Sequence, residues 1–416
     1  MKRTPLLVAL LWLQQVVGWS NDVPFWPHYP SRSVNVLDGK WDFGLHFDVK
    51  DVLALQEGDL DAPNSTTVPS AFDVTPGGVQ GPRGTAIYRT TCNISAGLPS
   101  LLHFSACSFY CKVWVDGTEV GEHRAGGYAP FELQVPASAS TQRSITVLVD
   151  NRFNSTIAPL HTGGDFYHYG GITRSVLWHE LPASGDHIKR LEILPQRTGS
   201  NWTIDLAVFF TQGSDTRAED SSPVSLSLGF DGFQCSVDST VLCKATLIKA
   251  TGDDATSVCY LPGLTLPSGL NSEWSPESPS LHTLKVCASF GTSSSAKDEV
   301  EARFGLRDFK ASDDGHLLLN GRRIRLHGTN RHQMWPETGS ALSAARLDLD
   351  LNILKDLRVN MLRGGHYPQV CSLPSWPTCA SGLSPGGAPS KIDVLSTRIH
   401  VWNPLYGTHS HRTRLG

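Results

Sequence analysis

One pattern repeats over residues 21–309: short runs in which apolar and polar residues alternate, each closed by turn residues. In the clearest run, "CKVWVDGTEVGEH", Val113 and Val115 point to one face, and Asp116-Gly117 supplies a turn that needs positive φ angles. The run "SITVLVDN" repeats the alternation. Because no helical period interrupts these runs, they predict sheets packed as sandwiches or jelly rolls.

The alternating runs divide into two groups, which predict one β domain in residues 21–185 and a second in residues 186–308. The strand candidates of the second group are "TIDLAVFF", "VSLSLGF", "VLCKATLI" and "LHTLKVCASF". About 120 residues of such strands fit an immunoglobulin-like sandwich.

The pattern changes after residue 309. "HLLLNGRRIRLHGTN" predicts a hairpin through Asn320-Gly321, and "NMLRGGHYP" predicts a later strand. Between them, "SAARLDLDLNILKDLRV" predicts a helix with Ser343 as N-cap. The core stripe of this helix is predicted to be Leu347, Leu351, Leu354 and Leu357. Strand, helix and strand would form the first unit of a parallel α/β fold in residues 309–369.

The N-terminus predicts export. Lys2 and Arg3 precede the apolar run "PLLVALLWLQQVVG", and Gly18 and Ser20 follow as small residues near a cleavage point. We therefore expect a signal peptide in residues 1–20 and a secreted, extracellular protein, the alternative being a buried helix. The run is short for a membrane span, and a net charge of −4 without a basic run gives no sign of nucleic-acid binding.

Cysteines and glycosylation sequons agree with export. The sequon asparagines are Asn64, Asn93, Asn154 and Asn201. Four of the nine cysteines lie in one region and could pair in any connectivity: Cys235, Cys243, Cys259 and Cys287. Cys107 and Cys111 have a metal-ligand spacing, but no second Cys/His pair accompanies them, so buried thiols or one disulfide are favoured. We expect no metal and no cofactor.

Polar residues gather where the two predicted α/β strands end: Asn330, Arg331 and His332 after the first, and Arg363, His366 and Tyr367 after the second. In a (β/α)₈ barrel the carboxyl ends of the strands form the active-site face, so two such clusters would converge there. The alternative is a pair of capping loops with surface histidines and arginines.

The ordered motifs of residues 25–369 resemble glycoside hydrolase family 2, the group of β-galactosidases, β-glucuronidases and β-mannosidases. These motifs are "YPSRSVNVLDGKWDFGL", "VPSAFD", "VWVDGTEVGEHRAGGYAPFELQV", "DFYHYGGITRSVLW", "WSPESPSLHTLKV", "FGLRDF", "LLLNGRRIRLHGTNRH" and "NMLRGGHYPQ". The resemblance implies a mostly β, multidomain chain: a jelly-roll sugar-binding domain, an immunoglobulin-like sandwich and the first βαβ unit of a (β/α)₈ barrel. It also implies a retaining site with two carboxylates.

The resemblance implies sugar-binding roles for Asp165 in "DFY", His332 in "NRH", and Arg363 and His366 in "LRGGHYP". Asn330 joins them from the strand-end cluster. The alternatives are that Asp165 caps the following Gly-Gly turn and that the histidines make structural hydrogen bonds.

The sequence departs from the family near its end. The family's acid/base and nucleophilic glutamates lie after the "HYP" motif, but no glutamate follows His366, so we assign no catalytic residue. Glu337 reads as a solvated loop residue. Gln333 replaces a common Glu, and Gly364-Gly365 replaces a small polar pair.

Only 107 residues follow Phe309, whereas a barrel domain needs about 200. We therefore expect the barrel to be interrupted after Gln369 and residues 370–416 to be an unmatched, disordered tail. Val370-Cys371 is also the translation of an intron donor "GTATGT", which suggests a retained intron or shifted frame.

Together these features predict a secreted hydrolase of β-galactosides or β-glucuronides, whose present chain is inactive. The alternative is a non-catalytic carbohydrate-binding protein. The sequence leaves the glycone and the oligomeric state open.

Overall fold

The computed structural model describes residues 27–400 with internal gaps. The gaps are residues 75–80, 125, 155–165, 212–223, 233–234, 236–240, 244–245, 249–255, 291–296, 366, 370–392 and 396–397. The predicted signal peptide therefore lies outside the described residues, as does most of the predicted tail.

The first β-sandwich is built from two antiparallel sheets. Its strands are β1 (Val34–Val36), β2 (Gly39–His46), β3 (Asn64–Val68), β4 (Thr85–Asn93), β5 (Ser100–Phe104), β6 (Cys107–Ser108), β7 (Tyr110–Val115), β8 (Thr118–His123), β9 (Phe131–Val135), β10 (Gln142–Asp150), β11 (Gly171–Ile172) and β12 (Val176–Glu180). One sheet has the order β1-β12-β5-β9, the other has the order β3-β2-β4-β10-β7-β8, and β6 pairs with β11. This arrangement confirms the predicted jelly roll.

The core of the first β-sandwich follows the predicted alternation. Ile145, Val147 and Val149 all face the space between the sheets and are fully buried. The turn between β7 and β8 has positive φ at both Asp116 (50°) and Gly117 (80°), which is the geometry that favours Asp-Gly in a two-residue hairpin. The turn residues and the alternating burial therefore set the register in which β7 pairs with β8.

The second β-sandwich follows directly along the chain. Its strands are β13 (His187–Thr198), β14 (Asn201–Thr211), β15 (Val224–Phe230), β16 (Val241–Cys243), β17 (Thr246–Ile248), β18 (Thr256–Thr265), β19 (His282–Phe290) and β20 (Lys297–Phe304). Two four-stranded sheets, β13-β14-β18-β17 and β16-β15-β19-β20, enclose one apolar core. This pair of sheets agrees with the predicted immunoglobulin-like sandwich.

The prediction of "VLCKATLI" as one strand was wrong. β16 pairs with β15 in one sheet, whereas β17 pairs with β18 in the other. The segment therefore changes sheets within eight residues. An alternating pattern predicts a strand but not the strand with which it pairs, so this change of sheet could not be predicted from the segment itself.

The predicted cysteine set contains a disulfide between Cys235 and Cys287, and Cys259 is also disulfide-bonded. Cys107 and Cys111 are buried and reduced, which agrees with the first of the two predictions for them. Burial raises the pKa of the Cys111 thiol well above its usual range.

The remaining elements are β21 (Phe309–Ala311), β22 (Leu317–Leu319), β23 (Arg322–Arg323), β24 (Gly328–Arg331), α1 (Ala344–Asp356), β25 (Met361–Gly364), β26 (Asp393–Leu395) and β27 (Arg398–His400). β24 and β25 are parallel neighbours joined through α1, so the predicted βαβ unit is confirmed. Ser343 caps α1, its side chain accepting the Arg346 N–H. β26 and β27 form a short hairpin inside the segment predicted to be disordered.

The predicted core stripe of α1 needs one correction. Leu347, Leu351 and Leu354 are buried, but Leu357 is 68% exposed. Leu357 is the C-cap residue, and the backbone leaves the helix there, so the helical period no longer aims its side chain at the sheet.

Candidate functional site

The two polar clusters at the strand ends come together. In the parallel register, Asn330 on β24 lies beside Arg363 on β25. The Arg363 Nη1 donates to the Asn330 Oδ1 at 3.5 Å, and this pair is exposed. Adjacent parallel strands present equivalent positions on one face, so the predicted convergence follows from the register. The sugar-binding roles of these two residues stay predictions.

Arg331 points away from this pair, toward the helix. Its Nε donates to the Asp350 Oδ2 on α1 at 3.0 Å, and its Nη1 donates to the Gln369 Oε1 at 2.8 Å. Alternation along β24 places neighbouring side chains on opposite faces, which explains the separation. Arg331 therefore fastens α1 to the strands and is not exposed to a ligand.

His332 lies over a glycine. A Cβ atom at Gly365 would be 2.9 Å from the His332 Nε2 and 3.1 Å from two ring carbons. Gly365 therefore makes room for the imidazole. The Phe166 ring lies against the His332 ring, with 5.3 Å between centroids. His332 is thus held between the βαβ unit and the first β-sandwich.

The first β-sandwich supplies aromatic residues to the same place. The Tyr128 ring stacks on the Tyr367 ring with centroids 4.2 Å apart and planes 13° apart, and Phe166 lies 5.4 Å from Tyr367. The Gln333 N–H donates to the Tyr367 Oη at 2.9 Å, and burial raises the pKa of this phenol to about 12. We call Tyr128, Phe166, His332 and Tyr367 the aromatic cluster.

Asp165 and His366 lie outside the described residues. Their neighbours Phe166 and Tyr367 both belong to the aromatic cluster. The sugar-binding roles predicted for Asp165 and His366 therefore stay predictions.

A buried carboxylate organises the segment that carries Phe166. Asp73 accepts the Gly170 N–H at 3.0 Å and the Asn151 Nδ2 at 2.7 Å. Burial raises the pKa of Asp73 to about 6, and the Gly170 N–H bond opposes that shift. Asp73 was not among the predicted site residues, although it ends the motif "VPSAFD".

Tyr128 was also not among the predicted site residues. It lies in "RAGGYAPFELQV", and a motif shared with the family was the only signal for it. Tyr128 is far from Tyr367 in the sequence, so no local pattern could predict that their rings stack.

The side chains gathered here are amide, guanidinium, imidazole and aromatic groups, which can hydrogen-bond to and pack against a sugar ring. A retaining glycosidase also needs two carboxylates about 5 Å apart. Glu337, on the loop after β24, is exposed and reads as a solvated residue.

Among the described residues, no group of three or more His, Cys, Asp or Glu side chains is arranged to hold a metal ion. In the same part of the chain, no helix has the length and apolar character needed to cross a membrane.

Two family models match the chain. Residues 34–182 match "Glycosyl hydrolases family 2, sugar binding domain", and residues 311–376 match "Glycosyl hydrolases family 2, TIM barrel domain". Together these matches cover slightly more than half of the chain.

Individual relatives agree with the family models. A Formosa agariphila protein is 28% identical over 370 residues, which are 87% of this chain and 42% of that protein. The Thermoanaerobacterium thermosulfurigenes β-galactosidase is 27% identical over 64% of this chain and 36% of its own length. The Bacteroides fragilis β-glucuronidase is 26% identical over 82% of this chain and 47% of its own length. The chain thus spans less than half the length of these curated relatives.

Solved structures share the fold. A family 2 β-galacturonidase from Eisenbergiella tayi bound to galacturonate has a TM-score of 0.66 at 23% identity, covering 83% of this chain and 56% of that one. The Bacteroides uniformis β-glucuronidase has a TM-score of 0.63 at 22% identity, covering 82% of this chain and 40% of that one.

Proposed function

The chain belongs to glycoside hydrolase family 2, and we propose that it carries the sugar-binding domain and the first barrel unit of a secreted hydrolase of β-linked glycosides. The observation that carries this proposal is the meeting of Asn330 and Arg363 at the carboxyl ends of parallel strands. In a barrel enzyme of this kind, those strand ends face the substrate.

The proposed substrates are β-glucuronides or β-galactosides. Relatives named β-glucuronidase and β-galactosidase support both. A guanidinium such as that of Arg363 can bind a carboxylate through two parallel hydrogen bonds and a hydroxyl through one. We therefore expect a uronate to bind more tightly than the corresponding neutral sugar.

Sugar binding tests the proposed role of the strand ends. Isothermal titration of the purified chain with D-galacturonate, D-glucuronate and D-galactose should give measurable binding of at least one uronate. Arg363→Ala should weaken uronate binding at least about tenfold, because the charge-assisted hydrogen bonds of the guanidinium are lost. Arg322→Ala, in the exposed strand β23, is the matched control and should bind like the unaltered chain. Equal affinity of both variants would contradict the proposal.

We also propose that this 416-residue polypeptide does not turn over substrate by itself. The retaining mechanism places two carboxylates on opposite sides of the scissile bond, and the sequence has no glutamate after His366. Chromogenic β-galactoside, β-glucuronide and β-mannoside substrates should all give rates equal to the buffer blank. Hydrolysis that copurifies with the protein would refute this part of the proposal.

Secretion and N-glycosylation are part of the same proposal. The asparagines of all four sequons have exposed side chains, which suits glycan attachment: Asn64, Asn93, Asn154 and Asn201. Expression in a secreting eukaryotic cell should yield a product whose mass falls on treatment with an N-glycosidase. An unchanged mass would argue against passage through the secretory pathway.

The second candidate is a non-catalytic carbohydrate-binding protein. The match of residues 34–182 to a sugar-binding domain favours it. Binding on a glycan array that survives Arg363→Ala would show that the ligand does not depend on the strand-end arginine, and it would support this candidate. Binding that disappears with Arg363 would favour the barrel site.

A further inference from the structure

The short segment Tyr367–Gln369, which ends the motif "NMLRGGHYPQ", is held from two sides. On the side of the βαβ unit, the Arg331 Nη1 donates to the Gln369 Oε1 at 2.8 Å. The Gln369 Nε2 in turn donates to the Tyr367 carbonyl at 3.1 Å. The Arg331 and Gln369 side chains are buried, so these hydrogen bonds are shielded from water.

The first β-sandwich holds the same segment from the other side. The Arg174 Nη2 donates to the Pro368 carbonyl at 2.6 Å, and its Nη1 donates to the Tyr128 carbonyl at 2.9 Å. The Tyr128 ring stacks on the Tyr367 ring. One guanidinium therefore joins the two backbones whose aromatic rings are stacked.

Arginine suits this position for a physical reason. Its planar guanidinium presents donors in a fixed fork, so it can reach two carbonyls in one geometry. Arg174 lies between β11 and β12, two strands of the first β-sandwich, so its backbone is anchored. Hydrogen bonds from a charged donor are about twice as strong as neutral ones.

We propose that Arg174 and Tyr128 are positioning residues for the sugar pocket. They set the place of Tyr367–Gln369, and through it the end of β25 that carries Arg363, relative to the first β-sandwich. They act on the ligand only through this segment. The inference rests on the proposed function, because it assigns the segment to the pocket in which Arg363 would bind sugar.

Hydrogen–deuterium exchange of the whole chain tests the positioning without any ligand. In Arg174→Gln, the peptide covering residues 361–369 should exchange about tenfold faster, because the charge-assisted hydrogen bond to the Pro368 carbonyl is lost. Arg174→Lys keeps the charge but not the fork, and it should give an intermediate rate. Arg190→Lys is the control, since Arg190 lies over Phe209 in the second β-sandwich. Unchanged exchange in Arg174→Gln would overturn the proposal.

Tyr128 provides an independent test. Tyr128→Phe keeps the stacked ring and should leave exchange in residues 361–369 unchanged, whereas Tyr128→Leu should speed it several-fold. If Tyr128 had only a structural role, exchange would be faster and the melting temperature lower in both variants. Equal exchange in the two variants would count against the stack as a positioning contact.

Sugar affinity separates the two proposals. If the unaltered chain binds D-galacturonate, Arg174→Gln should raise its Kd several-fold, and an unchanged Kd would overturn the positioning role. If the unaltered chain binds none of the three sugars, the proposed function fails. The exchange experiment then still decides whether Arg174 and Tyr128 position the segment.

Discussion

The imidazole of His332 lies directly over Gly365, so its place depends on the absence of a side chain. Glycine at this position was noted in the sequence only as a departure from the family. The structure supplies the reason: the ring takes up the space that a Cβ atom would need. At the residue scale, the place of the imidazole is thus set by the missing side chain at Gly365 as well as by the Phe166 ring against it.

Replacement of Gly365 by Ala should displace the His332 ring. The ring can rotate away, so we expect a modest cost of about 1 kcal/mol in the free energy of unfolding. The ring-proton resonances of His332 should shift clearly in an NMR spectrum. Gly58→Ala is the control, because a Cβ atom there would meet nothing within 4 Å. Unmoved His332 resonances in Gly365→Ala would contradict the described packing.

Asp73 gives a pH-dependent prediction. Burial raises its pKa from 3.8 to about 6 in the folded chain. A raised folded-state pKa means that its stabilising contribution is full below pH 3.8 and is lost as the pH rises through 6. A pKa shift of this size changes the free energy of unfolding by about 3 kcal/mol.

Asp73→Asn removes this titration. The free energy of unfolding of the variant, relative to that of the unaltered chain, should therefore rise by about 3 kcal/mol between pH 3.5 and pH 7. Urea unfolding at the two pH values measures it. Taking the difference between variant and unaltered chain cancels the other titrating groups. A difference that does not change with pH would show that Asp73 is not the buried acid described here.

At the scale of elements, α1 is joined to the strands by apolar residues and by one ion pair. Leu347 is fully buried, and Leu351 and Leu354 are nearly so. Arg331 on β24 is 7% exposed and donates to Asp350 on the helix. A βαβ unit buries little area by itself, so this polar link matters to its register.

Asp350→Asn should destabilise the chain by about 3 kcal/mol, because it leaves the Arg331 charge buried without its carboxylate. The free energy of unfolding in guanidinium chloride measures the loss. Asp356→Asn, at the exposed end of the same helix, should change stability by only a few tenths of a kcal/mol. Similar losses in the two variants would mean that the ion pair does not fasten α1.

At the scale of the whole molecule, the two β-sandwiches are joined by a buried ion pair. Arg32 donates to Asp298 through Nε at 2.9 Å and through Nη2 at 2.6 Å. Asp298 also accepts the Ile188 N–H at 2.7 Å, at the start of the second sandwich. Side-chain exposure is 1% for Arg32 and 0% for Asp298, so the bonds form away from water.

Asp298→Asn should therefore cost about 3 to 5 kcal/mol, the usual loss when one partner of a buried pair is removed. It should also split urea unfolding into two transitions, as the sandwiches lose their shared network. Asp313→Asn, on an exposed turn, is the control and should unfold like the unaltered chain. A single unshifted transition in Asp298→Asn would contradict the coupling.

Local features were predictable from the sequence. The Asp116-Gly117 hairpin, the Ser343 cap and the alternating core of β10 each depend on residues within a few positions of one another. Their chemistry does not require contacts with distant segments. The sheet change within "VLCKATLI" and the exposure of Leu357 were not predictable, because each depends on where the neighbouring backbone runs.

Residue patterns alone were enough to predict the β class, the turn positions, the βαβ unit and, through the ordered motifs, the family. Which side chains meet at the strand ends could be seen only once distant segments were packed together. Arg174 and Pro368 are 194 residues apart in the chain yet hydrogen-bonded, and Asn330 meets Arg363 while Arg331 turns to the helix. Periodicity records how one segment orients its side chains, but the distance between segments is fixed by the packing of whole sheets.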